Sequence, residues 1–280
     1  MRELERISCH DFVEYGGYAW FSNWFYNGLF RVEIDTGKTI FLGHFEGETI
    51  YGKNIHWEIF KQDQTVYFCP KRGRHLHCYD LAEHSLYSIE IRGESEEFFT
   101  IQDIFLDENK VFCVPEQQNI PIRRIDLQSQ KATKVNRKIE PQGKKISECR
   151  EAFPAPKRAE ELSLGYTNEF FWRQAANKKW YTFVPEGRHL LCYREEFDRI
   201  ETIPLTLMNE SELENYLDRV KAELIKNGTA MEKRITCGDF FKTIETEGIC
   251  RKFIAPDQAK IGKAIWEAVK RKQVDPELKG

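Results

Sequence analysis

His75-x-His77, followed at once by Cys78 and preceded by Cys69, is the cluster whose residue types best suit a metal ion, because alternate residues of a strand point to one face. A related stretch weighs against that reading. Residues 187–193 keep His189 in the place of His75 and Cys192 in the place of Cys78, but carry Leu191 where His77 stands. A repeated Arg-His-Leu-x-Cys-Tyr is expected to pack strands together, so no metal and no cofactor is assigned. Three neighbouring pairs offer polar chemistry instead: Trp57 with Glu58, Gln102 with Asp103, and Trp172 with Arg173. The carboxylates could act as general acid and base, and the same groups with the indoles could equally hold a ligand. Trp24 and Tyr26 fall in an apparent turn of an aromatic-rich stretch, where exposed rings would form a binding surface. Nucleophile and phosphate-binding motifs are missing: no Gly-x-Ser-x-Gly, no His-Glu-x-x-His and no Walker or dinucleotide loop.

The elements that must position these residues come from a repeat. Val66-Tyr-Phe-Cys-Pro70 with Gly73-Arg-His-Leu-His-Cys-Tyr79 matches Tyr181-Thr-Phe-Val-Pro185 with Gly187-Arg-His-Leu-Leu-Cys-Tyr193 across one gap. A third copy, Val111-Phe-Cys-Val-Pro115 with Ile122-Arg-Arg-Ile-Asp126, keeps the Pro and the closing Asp. The first copy runs from Gly17-Tyr-Ala-Trp-Phe-Ser22 to Asp35. Asp35, Asp80 and Asp126 are spaced by 45 and 46 residues. Within each copy, short runs of alternating apolar and polar residues separated by turn residues predict an antiparallel meander. In the second copy these runs are 55–60, 65–69, 74–80 and 86–91, and the four copies span 7–46, 55–92, 97–138 and 168–207.

Four-stranded units recurring at this period resemble the blades of a β-propeller, in which each blade covers the next. The Trp- and Phe-rich run followed by Asn27-Gly-Leu-Phe-Arg-Val-Glu-Ile-Asp35 is similar to that of uncharacterised bacterial propeller-like proteins. WD40, kelch and sialidase signatures are absent. The resemblance implies a mainly β fold, a small propeller of four four-stranded blades with a fifth, degenerate blade as the alternative count, and it implies no activity. First strands would then line a central channel, bringing Glu58, Asp103 and Arg173 towards one axis, with Trp57 and Trp172 packed between blades.

Two regions break the pattern. Between the third and last copies about 23 residues are extra, and 139–167, with three prolines and a charged stretch, is expected to be a surface insertion carrying about one helical turn. After residue 208 the period becomes helical. Ser211-Glu-Leu-Glu214 suggests a capping box, and Leu213, Leu217, Val220 and Leu224 predict a helix at 211–227 with one apolar stripe; a second helix is expected at 257–272. Residues 1–208 thus form a propeller-like domain, with the insertion at 139–167, and 209–280 a helical segment available for docking a partner.

The 280 residues carry 42 Lys and Arg against 45 Asp and Glu, a net charge of −3 that disfavours nucleic acid as the main partner. The longest uncharged run, Tyr15–Phe30, is broken by polar residues and glycines and is too short to span a membrane. With no secretory signal at Met1–Arg6, cytoplasmic residence is expected, and with it eight unpaired cysteine thiols. The sequence therefore points to a non-enzymatic binding or scaffold module that recognises a protein, peptide or glycan at the channel mouth. The contrasting reading is an enzyme acting on a carbohydrate or small metabolite through channel carboxylates.

Overall fold

The computed structural model describes residues 6–93, 96–138, 141–151, 156–159, 172–184 and 188–227, with backbone alone at 149–151. Two compact units divide the chain: Arg6–Tyr216, and Met1–Glu5 together with Leu217–Gly280. The expected helix at 257–272 lies outside the described residues.

Sixteen of the strands fall into four successive meanders, one per sequence copy. Sheet I contains β1 (Val13–Tyr15), β2 (Tyr18–Ser22), β3 (Leu29–Glu33) and β4 (Lys38–Gly43). Sheet II contains β5 (His56–Gln62), β6 (Thr65–Pro70), β7 (His75–Asp80) and β8 (Ser85–Glu90). Sheet III follows with β9 (Ile101–Asp107), β10 (Lys110–Pro115), β11 (Ile122–Asp126) and β12 (Lys131–Val135). After β13 (Lys144–Lys145) and the short helix α1 (Ile146–Glu151), sheet IV is made of β14 (Arg173–Gln174), β15 (Trp180–Phe183), β16 (His189–Arg194) and β17 (Arg199–Pro204). The fold is a mainly β, propeller-type arrangement of four antiparallel sheets, and strand exceeds helix well over twofold among the described residues.

Turns without glycine join several first and second strands. Gly16-Gly17 makes the β1–β2 hairpin with both residues at positive φ, while Asp63 (φ 51°) and Glu108 (φ 48°) take the same role in sheets II and III. Lys61 and Gln62, expected in a turn, consequently continue β5 and pair with Val66 and Thr65. Asp80 and Asp126 close β7 and β11 because each side chain accepts backbone N–H groups of the following turn, Ala82 and Glu83 in one case and Ser129 in the other.

The core lies between neighbouring sheets. Tyr67, Cys69, Leu76, Cys78, Ile89 and Ile91 of sheet II meet Ile101, Ile104, Val111, Cys113 and Ile125 of sheet III, along with Phe99. Phe183 of sheet IV packs against Phe12 and Phe21, and Trp20 of sheet I against Tyr79. The described cysteines, Cys9, Cys69, Cys78, Cys113 and Cys192, are free thiols. Burial pushes Cys78 and Cys113 up to about 12, which makes them apolar packing groups rather than nucleophiles.

Chain return stitches the last sheet to the first. After β17, β18 (Thr206–Leu207) pairs in parallel with β4, as Thr206 with Lys38 and Leu207 with Thr39. Asn209 extends this edge with its side chain: Oδ1 accepts from Phe41 N–H at 3.0 Å, and Nδ2 donates to Phe41 C=O at 2.7 Å. The helix α2 (Glu210–Lys226) starts immediately afterwards, with Asn209 Nδ2 also donating to Glu212. Its N-terminal signal is therefore Asn209-x-x-Glu212, two residues ahead of the expected Ser211-x-x-Glu214. Leu213, Tyr216, Leu217 and Val220 are buried and Leu224 partly so. No helix among the described residues is long and apolar enough to cross a membrane.

The insertion differs from expectation at its described end. β13 pairs with β9, adding a strand to the free edge of sheet III at Lys144–Leu106 and Lys145–Phe105. Ile146 then enters the core between sheets II and III. An edge strand exposes unpaired N–H and C=O groups, and this segment satisfies some of them.

Candidate functional site

The sequence-selected pairs in sheets II and III sit at bulges. Pro70 stands opposite His56 and Cys69 opposite Glu58, so Trp57 is the extra residue; Pro115 stands opposite Ile101 and Val114 opposite Asp103, so Gln102 is the extra residue. Proline cannot donate to the ladder, and a bulge opposite it absorbs the missing bond while turning one side chain aside. Trp57 is half-buried, and Gln102 is exposed.

Sheet IV does not continue this equivalence. Arg173 pairs with Tyr181, and Tyr181 stands opposite Cys192 as Tyr67 stands opposite Cys78. Since Tyr67 pairs with Phe60, Arg173 lies at the level of Phe60, two residues beyond the level of Glu58. Matching Arg173 to Glu58 from sequence is thus displaced, because the copies differ in spacing between first strand and proline. Trp172 is buried.

Arg173 and Asp103 are each paired within the chain. His10 and Asp11 of the N-terminal segment lie against the free edge of β5, where Asp11 Oδ2 accepts from Ile59 N–H at 2.7 Å and His10 Nδ1 donates to Trp57 C=O at 3.1 Å. Asp11 Oδ1 also accepts from Arg173 Nε at 3.1 Å. Asp103 pairs with Lys145 of β13 at 2.6 Å. That hydrogen bond raises the Lys145 pKa above its ordinary value, with the charges of Asp103, Glu148 and Glu58 acting in the same direction. Glu58 is buried. His10 with Asp11, and β13, therefore cover parts of the first-strand edges of sheets II and III.

The aromatic residues give a different site. Trp24 and Trp57 come together, ring centroids 5.5 Å apart, and His10 stacks on Trp57 at 3.6 Å and on Trp24 at 5.2 Å. Lys71 Nζ lies 4.8 Å from the Trp57 ring centre and 3.3 Å from the exposed carboxylate of Glu116, the residue after β10. His10, Trp24, Trp57 and Lys71 are all half-buried. Trp24 is held at its backbone, N–H to Ser8 C=O at 2.9 Å and C=O from Asn54 N–H at 3.0 Å, and Asn23 Oδ1 tightens the turn by accepting from Phe25 N–H. Tyr26, expected to be exposed beside Trp24, is instead fully buried, and burial pushes its hydroxyl pKa upward. Of the selected residues, then, Trp24 and Trp57 are brought into one surface cluster. The sequence pattern carries no signal for His10 or Lys71, whereas the prolines opposite the bulges mark Trp57.

His75 and His77 belong to a second cluster, at the ends of sheets I and II. His77 Nε2 is 3.1 Å from Glu46 C=O, His77 Nδ1 is 2.9 Å from His56 Nε2, and His56 Nδ1 is 2.8 Å from Ser22 Oγ. A carbonyl only accepts, so Nε2 of His77 carries hydrogen, and the neutral ring then accepts at Nδ1 from His56, which accepts in turn from Ser22. Burial holds His77 down to about 4 and His56 well below its ordinary value, so both rings are neutral at pH 7. Glu48 Oε1 accepts from His75 N–H and His75 Nδ1, both at 3.0 Å.

No family model matches the chain, and no curated protein matches it in sequence. Among solved structures it is similar to virginiamycin B lyase from Staphylococcus aureus, at 13% identity over 71% of this chain and 54% of that one, with a TM-score of 0.33. A streptogramin B lyase gives 10% identity, 69% and 52% coverage and a TM-score of 0.34. A protein of unknown function from Bacteroides thetaiotaomicron gives 12%, 70% and 43%, and 0.37. The chain spans about half the length of the two lyases. Likeness at this level assigns no activity to the chain.

Proposed function

We propose that the protein is a non-enzymatic binding module, resident in the cytoplasm, that holds a protein or peptide segment on the surface formed by Trp24, His10, Trp57 and Lys71. The column of half-buried rings carries this reading. Large aromatic side chains with few rotamers lose little entropy on binding, and a Lys–Glu pair beside them supplies the polar rim that protein interfaces show. A glycan is less suited, since the His10 ring already stacks on Trp57 and Lys71 Nζ lies 4.8 Å from the same ring centre, which leaves less of it for a sugar to stack on.

The test is selection of binders to the full chain from a displayed random-peptide library, with a glycan array run in parallel. Trp24→Ala and Lys71→Ala should each weaken the selected peptide at least about tenfold, while Phe197→Ala, an exposed residue outside the cluster, should leave it unchanged. Peptides that bind the Trp24→Ala variant as tightly as the original chain, or glycans that bind while no peptide does, would overturn the reading.

A further inference from the structure

We propose that Glu48, His75 and His77 form a binding site for one divalent cation of the zinc class. Each offers a ligand atom, a carboxylate oxygen or an imidazole nitrogen, and the three atoms lie within 4.8 Å of one another. Zinc bonds of about 2.0–2.2 Å place tetrahedral ligand atoms about 3.3 Å apart. The 3.0 Å between His75 Nδ1 and Glu48 Oε1 is already near that value, so a modest movement of the third ligand completes the set.

Local structure presents these groups together. His75 and His77 alternate along β7, and Glu48 comes from the segment between β4 and β5. Gly47, at φ +78°, lets that segment lie directly on the His75 ring; a Cβ there would stand 2.5 Å from His75 Cε1. The Glu48 and His75 side chains are 6% and 13% exposed, so the carboxylate is mostly withdrawn from competing water. Two imidazoles and one carboxylate form a borderline nitrogen and oxygen set, which favours Zn²⁺ or Co²⁺ over the all-oxygen preferences of Mg²⁺ and Ca²⁺.

The Ser22–His56–His77 chain supplies the outer support such a ligand needs. With no cation, hydrogen runs from Ser22 to His56 to His77 to the Glu46 carbonyl. On binding, His77 turns the Nε2 lone pair to the cation and carries its hydrogen on Nδ1, donating to His56 Nε2; His56 then donates from Nδ1 to Ser22 Oγ. Every member can both donate and accept, so the order reverses without net gain or loss of a proton. His75 likewise carries its hydrogen on Nε2 when Nδ1 is the ligand. The Glu46 carbonyl, 3.1 Å from His77 Nε2, is released and can fill the fourth position in place of water. His56 is a positioning residue here.

Titration of the chelator-stripped full chain with Zn²⁺ should show one saturable equivalent. Co²⁺ should give a ligand-field spectrum of a nitrogen and oxygen site without thiolate-to-metal charge transfer, separating this site from the cysteines. Glu48→Gln and His75→Ala should each weaken binding at least about a hundredfold, and His56→Gln about tenfold or more. His84→Ala, at an exposed histidine, should change nothing. In the unmutated chain, Zn²⁺ should move the imidazole nitrogen resonances of His75, His77 and His56, a readout independent of whether the variants fold. Absence of a saturable equivalent, a thiolate-type cobalt spectrum, or unshifted resonances of His75 and His77 would overturn the proposal.

Discussion

Asp11 and Arg173 are 162 residues apart and joined at 3.1 Å, and the same carboxylate accepts the Ile59 N–H at 2.7 Å. One side chain of the N-terminal segment thus connects the first strands of sheets II and IV. Replacing Asp11 by Ala leaves the guanidinium without this carboxylate and the β5 amide without an acceptor. A loss of about 2–3 kcal/mol is expected. Asp11→Asn should lose less, because an amide oxygen still accepts from Ile59. Urea denaturation of the three chains checks the order.

Gly37 fixes the return of the chain to sheet I. It has φ +73°, its C=O accepts from Thr206 N–H at 2.9 Å, and a Cβ would stand 2.1 Å from Pro204 C=O. Gly37→Ala combines a disfavoured backbone with a backbone clash, so it should cost at least about 1 kcal/mol. Gly16→Ala has the positive φ without the clash and should cost less. Melting temperatures of the two variants compare them directly.

Acid should destabilise the metal-free chain through His56 and His77. Their folded pKa values lie below the unfolded value of about 6.5, at about 4 for His77. Between those values the unfolded chain binds more protons, so stability is full above pH ~6.5 and falls as the pH drops towards 4. The loss is of the order of a few kcal/mol. The double substitution His56→Leu, His77→Leu should flatten this slope, since Leu191 already fills the corresponding place in sheet IV. Denaturation midpoints from pH 7 to 4.5, with chelator present, measure it.

Tyr216 ties the start of α2 to the loops of sheet I, its hydroxyl lying against the carbonyls of Asn27 and Ile50. Tyr216→Phe should cost about 1–2 kcal/mol by leaving a buried carbonyl without a donor. Leu213→Ala, at a position 1% exposed, should cost about 2–5 kcal/mol by opening a cavity. Thermal denaturation monitored by circular dichroism reads both.

The strands were legible because their information is local. Alternation of apolar residues, the prolines at 70 and 115 and the aspartates at 80 and 126 mark where a run begins and ends, and each acts through its own backbone or the next few residues. The helix at Glu210–Lys226 was legible for the same reason, with its cap misplaced by two residues because Asn209 also binds Phe41, a partner 168 positions away.

Surface and interior were decided by tertiary structure. Trp24 and Tyr26 occupy one stretch of like composition, yet one ring is half-exposed and the other is buried beside Tyr216. From sequence, Asp103 and Arg173 read as parts of one channel lining, yet each pairs with a different charged group, Lys145 and Asp11. Asp11 and Lys145 come from segments distant in the chain from the groups they pair with. Sequence periodicity specifies which face of a strand is apolar; it carries no information about which distant side chain will neutralise a charge or cover a ring, because that choice is made by how the sheets pack.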